Sequence, residues 1–382
     1  MSILKPKVAA ELADGVYDVQ SELLLKGFLS RTIFSHTSGQ AKHLKAEVGS
    51  RLINTRDGFG VCVMGGDKYK NELFLIFRGS TSANYSADWV SNARIGVSSS
   101  KTGLPVHLGF NHIFNSMLPQ IQTFLKDAKQ IKAVHCIGHS LGGAVATLAA
   151  DWIKSNRGVP VKLYTFGAPK PGMLLFANRL SSKLGKKNIF RAYHPTDPVP
   201  MIPLFPFVQP PLPGFGHYIP FGEGMISKEA HDIGKYVESV KDFDWKQFER
   251  RRPPYSVENA VEQWLKSKSP VTENSPFIWQ WINEAIIYIL RKAFGAAATV
   301  LQGGFIGAVT LADTIAYMLR KGIELSIAIG EWVLLLMRKI VEVFGLKKIE
   351  TIETLDQTLM RNMMIKLIDK TNQEAKSVIQ KI

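Results

Sequence analysis

Gly138-His139-Ser140-Leu141-Gly142-Gly143 follows the apolar run Ala133-Val134-His135-Cys136-Ile137. A serine between glycines, at the end of a strand-like run and the start of a helical one, suits a tight turn that lifts its hydroxyl towards an acyl carbon. A side chain at position 138 or 142 would crowd the neighbouring strand or helix. Alone the pattern is weak, because a chance Gly-x-Ser-x-Gly arises in roughly one chain in ten of this length. Its meaning depends on partners elsewhere in the chain.

A serine hydroxyl becomes a useful nucleophile when a histidine takes its proton and a carboxylate fixes that histidine's tautomer and charge. On this kind of turn the carboxylate and then the histidine follow the serine in the chain. Asp197, in His194-Pro195-Thr196-Asp197-Pro198-Val199-Pro200, comes just after the apolar run Ile189 to Tyr193 and sits in a loop held by prolines. Asp151 lies on the helix after Ser140 and should point away, while Asp232 has no strand end near it. For the histidine, His231 at the start of a short amphipathic helix is favoured over His217. His217, His107 and His139 read as structural hydrogen-bonding residues.

The elements that must carry these groups alternate. Residues 8 to 30 read as a helix, Gly60 to Met64 and Leu73 to Phe77 as strands, and Val106 to Lys129 as a helix. Strands at Lys132 to Ile137, Val161 to Phe166 and Asn188 to Tyr193 then enclose helices at Leu141 to Ile153 and Leu174 to Leu184. Such alternation predicts a largely parallel sheet with helices on both faces and ligands at the carboxyl ends of the strands. Ser80, Ser140 and Asp197 each follow such an end. Residues 195 to 224 form a Pro- and Phe-rich apolar loop, and Arg250-Arg251-Arg252-Pro253-Pro254 marks a change of composition.

The net charge of +15 is uneven: Lys and Arg exceed Asp and Glu by 11 in residues 1–240 and by 4 in residues 241–382. No zinc-finger, RNP or helix-turn-helix pattern accompanies this charge, so nucleic acid is not an expected partner, and anionic lipid suits it better. Cys62 and Cys136 lie in apolar runs and read as buried free thiols. The segment from Met1 to Glu11 has no continuous apolar stretch and does not read as a secretory signal, which implies a cytoplasmic protein or one exported by a signal-independent route.

Beyond the serine motif, the chain carries Ile76-Phe77-Arg78-Gly79-Ser80, Asp88-Trp89-Val90, Val106-His107-Leu108-Gly109-Phe110, Thr165 to Gly172, Asp197-Pro198-Val199-Pro200, and His231 with Tyr236. In this order they resemble the class 3 lipases, the fungal-type triacylglycerol lipases of the α/β-hydrolase fold, over residues 10 to 240. The resemblance implies that Ser140, Asp197 and His231 form a triad and that Ser80 and the Leu141 backbone amide hold the oxyanion. It also places Asp88 and Trp89 in a lid and makes His217 a nearby non-catalytic histidine. No metal or cofactor is implied.

About a third of the chain lies outside the resemblance. Residues 241–275 read as a charged, Pro-containing linker and helix, and 276–382 as an all-α, partly hydrophobic region. Phe277 to Leu290 carries only Glu284, Ala293 to Ala312 is uncharged with Gly303, Gly304 and Gly307, and Gly322 to Met337 carries Glu324 and Glu331. An uncharged run of about 20 residues is long enough to span a bilayer, and a soluble bundle buries similar helices. A membrane-associated helical hairpin is slightly preferred. Ile352, Leu355, Leu359, Met363 and Leu367 mark a last amphipathic helix. The expected activity is hydrolysis of a triacylglycerol or phospholipid ester through an acyl-enzyme. The rival is a membrane-binding protein whose hydrolase domain is inactive. A lipase toxin delivered into other cells, with a cognate inhibitor protein as partner, would account for the basic surface, the missing leader and the apolar tail together.

Overall fold

The computed structural model describes residues 2–20, 22–34, 41–48, 55–80, 96–128, 130–222, 226–248, 250, 258–268, 277–295, 310–347 and 349–379. The expected lid residues Asp88 and Trp89, and most of the uncharged run Ala293 to Ala312 with its glycines, lie outside them. The strands in chain order are β1 (Ala41–Val48), β2 (Thr55–Met64), β3 (Glu72–Phe77), β4 (Val97–Ser99), β5 (Pro105–His107), β6 (Ala133–His139), β7 (Val161–Phe166), β8 (Gly172–Met173), β9 (Ile189–Tyr193), β10 (Phe207–Val208) and β11 (His217–Tyr218). A seven-stranded sheet runs β1-β2-β3-β6-β7-β9-β11, and a small one runs β10-β8-β5-β4. In the large sheet β1, β2 and β3 are antiparallel, whereas β3, β6, β7, β9 and β11 are parallel. This is the largely parallel α/β architecture expected from the alternation.

The helices are α1 (Pro6–Gly15), α2 (Glu22–Leu29), α3 (Leu108–Asp127), α4 (Leu141–Arg157), α5 (Leu174–Leu184), α6 (Ile233–Val240), α7 (Glu258–Lys266), α8 (Ile278–Phe294), α9 (Leu311–Leu325), α10 (Ile327–Val343) and α11 (Gln357–Ile379). Helices α3, α4 and α5 bury one apolar face of the sheet, with Phe110, Ile121, Val145, Ala149 and Leu180 in the core. The other face is covered by α1 and α6, with Ala9, Ala13, Tyr236, Trp245 and Phe248. Each fully buried aliphatic or aromatic side chain contributes about 1.5–3 kcal/mol.

Two expectations need correction. Residues 8–30 do not form one helix: α1 ends at Gly15, and a 3-10 stretch, Val16–Gln20, separates it from α2. A Cβ on Gly15 would fall 2.0 Å from the Arg31 guanidinium, so a side chain there would displace Arg31, whose Nη1 donates to the Glu11 carbonyl. Nor does the helix begin at Val106. Val106 and His107 pair as strand with Gly172 and with β4, and His107 then accepts the Phe110 amide as the cap of α3. The sequence reading also missed β1, a charged edge strand whose buried residues Leu44 and Ala46 alternate with exposed or half-exposed lysines.

The C-terminal helices build a third core of their own. Trp279, Ile282, Ile286, Ile315, Leu319, Val333, Leu336, Ile340, Met364 and Leu367 are buried in it, together with Met201, Leu204, Phe205 and Phe207 from the Pro-rich loop. These helices therefore bury their apolar faces against one another and against the α/β region. Among the described residues, no helix is long and apolar enough to cross a membrane. The expected last amphipathic helix is α11, with Met363 and Leu367 on its buried face and Leu355 buried just before it.

Candidate active site

Ser140 lies between β6 and α4 with φ 53° and ψ −133°, a backbone conformation that costs a side-chain-bearing residue about 1–3 kcal/mol. Its amide donates to the Phe166 carbonyl at 3.0 Å, which ties the turn to β7. The flanking glycines are required by contact: a Cβ on Gly142 would stand 2.2 Å from the Phe77 carbonyl oxygen, and one on Gly138 would stand 2.3 Å from that of Gly142. The turn is thus wedged against the end of β3, which brings Gly79 beside the nucleophile. A Cβ on Gly79 would lie 2.9 Å from the Ser140 Cβ.

The Ser140 hydroxyl donates to His231 Nε2 at 2.8 Å, and His231 Nδ1 donates to Asp197 Oδ2 at 2.9 Å. All three residues are buried. Asp197 sits past the end of β9, and His231 closes a 3-10 turn, Glu229–His231, ahead of α6. The carboxylate is held by two further donors, the Val199 amide on Oδ1 at 2.9 Å and the Tyr236 hydroxyl on Oδ2 at 2.8 Å. Gly167 permits this crowding: at φ +55° it faces the pair, and a Cβ there would fall 2.7 Å from Asp197 Oδ2.

The other carboxylates and histidines are engaged elsewhere. Asp151 pairs with Lys183 and Thr102, and Asp232 caps α6 by accepting the Lys235 amide at 2.9 Å. His217 packs its ring on Phe190 and Trp245 and, among the described residues, shares no hydrogen bond with Ser140 or Asp197. Burial lowers its pKa to about 3.

His139 belongs to the support of the site. Its Nε2 donates to the His231 carbonyl at 2.9 Å, and its Nδ1 accepts the Tyr17 hydroxyl at 2.7 Å. Burial, reinforced by the neighbouring His231, holds the His139 pKa well below the ordinary range. A neutral ring with its proton on Nε2 matches both bonds. Tyr17 also hydrogen-bonds the Gly79 backbone, so one chain of contacts joins the Gly79–Ser80 loop to the backbone of His231. Arg78 fixes the same loop by donating to the carbonyls of Gly58 at 2.5 Å and Gly79 at 2.8 Å.

Sequence reasoning did not find Tyr17, because it comes from the 3-10 stretch after α1, far from any motif. Tyr236 was visible, but its bond to Asp197 was not. Ser80 is buried just past the end of β3, and Leu141 opens α4 directly after Ser140. Among the described residues, no group of three or more His, Cys, Asp or Glu side chains is placed to hold a metal ion.

With a buried, hydrogen-bonded Ser-His-Asp relay, the arrangement is able to form and hydrolyse an acyl-enzyme. Residues 74–207 match the family model described as Lipase (class 3). Secreted mono- and diacylglycerol lipase 1 of Fusarium solani is 34% identical over 161 residues, covering 41% of this chain and 46% of that protein. Secreted mono- and diacylglycerol lipase A of Penicillium camembertii is 32% identical over 146 residues, 36% of this chain and 45% of that protein. Toxin TseL of Vibrio cholerae is 37% identical over 102 residues, 26% of this chain and 15% of that protein. The chain thus spans about half the length of the first two relatives and much less of the third. Among solved structures, a lipase from Rhizopus microsporus var. chinensis is 22% identical with a TM-score of 0.39, covering 57% of this chain and 75% of that one.

Proposed function

Through residues 74–207 the chain belongs to the class 3 lipases, and from that premise we propose that it is a serine hydrolase of glycerolipid carboxylic esters. The reading is carried by the hydrogen-bonded line from Asp197 through His231 to Ser140, at 2.9 and 2.8 Å. In the proposed cycle Ser140 Oγ attacks the ester carbonyl while His231 Nε2 takes its proton, and Asp197 holds the imidazolium. The oxyanion is received by Ser80 and the Leu141 amide, each donor lowering the barrier by about 3 kcal/mol. His231 returns the proton to the leaving alcohol, and water then cleaves the acyl-enzyme along the same path in reverse.

The domain division goes with this reading: a catalytic domain over 1–240, a connecting segment over 241–275 and a helical region over 276–382. The net charge of +15 favours an anionic phospholipid as the lipid met by the site. The printed names of the fungal relatives favour mono- and diacylglycerols as a second reading. The helical region supplies membrane contact in this proposal. Leu325 and Ile327, 62% and 80% exposed at the turn between α9 and α10, are the side chains that would enter the lipid surface. The relative named as a toxin supports an effector delivered outside the producing cell, with a cognate inhibitor protein as its partner.

Fatty-acid release from phospholipid vesicles and from diacylglycerol emulsions, measured for the wild type and Ser140→Ala, tests the proposal. Release is expected from wild type and a loss of at least about 10³-fold in the variant. Equal release by both overturns the catalytic role, and binding to vesicles without any release favours an inactive membrane-binding protein.

A further inference from the structure

The loop that follows Asp197 is gripped from outside the family match. Val199 and Ile202 are buried in one small cluster with Ala375 and Ile379 from the last turns of α11. Val199 is the residue whose amide holds Asp197 Oδ1. Helix α11 also touches the 3-10 turn Glu229–His231, so one helix contacts the segments that carry both the acid and the base. A second grip lies further along the loop, where Asn283 Oδ1 on α8 accepts the Phe205 amide at 2.6 Å in a buried bond. The two grips are joined, because Trp279 Nε1 on α8 donates to Glu374 on α11 at 2.6 Å.

We propose that Ile379 and Ala375, with Asn283 as a second anchor, are positioning residues that set the Asp197 carboxylate against His231 from a region that supplies no reacting group. This rests on the triad reading above. A hydrogen-bonded pair holds an imidazolium only while its geometry is kept, and a displacement of about 1 Å in a reacting constellation costs up to about 100-fold in rate. Val199 transmits such a displacement directly: its side chain sits on α11 and its amide sits on the carboxylate. If Ile379 loses its δ-carbon and γ-branch, the cluster beneath Val199 is left with a cavity that the loop can relax into.

The test is made on the full chain with a soluble short-chain p-nitrophenyl ester, with rates referred to active sites counted by a serine-reactive phosphonate. Ile379→Ala is expected to lower kcat about tenfold with KM within about twofold of wild type. Ile379→Val should restore most of the rate. Asn283→Leu, which strands the Phe205 amide, should act in the same direction, and Asn283→Asp, which keeps an acceptor, should recover it. This second pair decides the matter if Ile379→Ala does not fold. Unchanged kcat per counted site in these variants, whatever happens to Tm, overturns the proposal. Activity that requires Ser140 but ignores Ile379 and Asn283 removes only this positioning role, whereas activity that survives Ser140→Ala removes the triad reading as well.

Discussion

Two buried regions meet along residues 199–207, and they are built from different materials. Around Ser140 the interior is polar: His139, His194, Asp197, His231 and the Tyr236 hydroxyl are buried, and each has a hydrogen-bond partner. Between α8 and α11 the interior is mostly apolar, with Asn283, Thr314, Lys339, Thr371 and Asn372 the buried polar or charged residues among those described. Buried polar groups are costly unless every bond is made, so the first region tolerates few geometries and selects one. The second draws on area and packing, and accommodates change in shape with graded loss. The contrast teaches where chemistry and where stability should respond to substitution.

The largest effect is expected in the polar region. His231→Ala should reduce kcat on the order of 10⁴-fold or more, while His217→Ala should leave kcat per counted site within about tenfold. A collapse confined to the second variant would reverse the two roles. In the apolar region, Ile315→Ala, at a fully buried position of α9, should cost about 2–5 kcal/mol in denaturant unfolding and leave kcat per counted site unchanged. A rate loss as steep as the stability loss would erase the distinction between the regions.

A third effect concerns acid. Burial lowers the pKa of His107 to about 3, of His194 to about 4 and of His217 to about 3. Below about pH 6.5 the unfolded chain protonates these rings while the folded protein keeps them neutral. Stability is therefore full above that pH and falls on acidification towards the folded values, by about 1.4 kcal/mol per pH unit for each ring. All nine histidines lie in residues 1–240. Melting curves from pH 7 to 5 should show the loss in the hydrolase half, and a flat Tm over that range would refute it.

The polar region was the more legible of the two in the sequence. Ser140, Asp197 and His231 announce themselves because each follows a strand end or opens a helix, and the glycines around Ser140 record backbone contacts that allow no Cβ. Asp232 and Asp151 could be set aside for local reasons, and α6 and Lys183 do occupy them. What stayed hidden was contact between distant segments. Tyr17 has no motif, and nothing near Val199 in the chain points to Ile379. β1 was obscured because an edge strand alternates its few apolar residues with charge, and Val106 because one short strand residue beside a long amphipathic helix reads as part of it. The membrane-or-bundle ambiguity arose because apolar helices look alike whether they face lipid or one another. Their burial against Met201, Leu204 and Phe205 could be read only in three dimensions.

The seat of Val199 on the last turns of α11 has a consequence in time. During synthesis a chain emerges from its amino end, and domains begin to fold before the rest has been made. The sheet, the strained serine and the turn that carries His231 can form while α11 is still inside the ribosome, but the packing beneath Val199 cannot. On the proposed reading, a chain assembled in this order would reach its full rate only once α11 has arrived and packed beneath Val199.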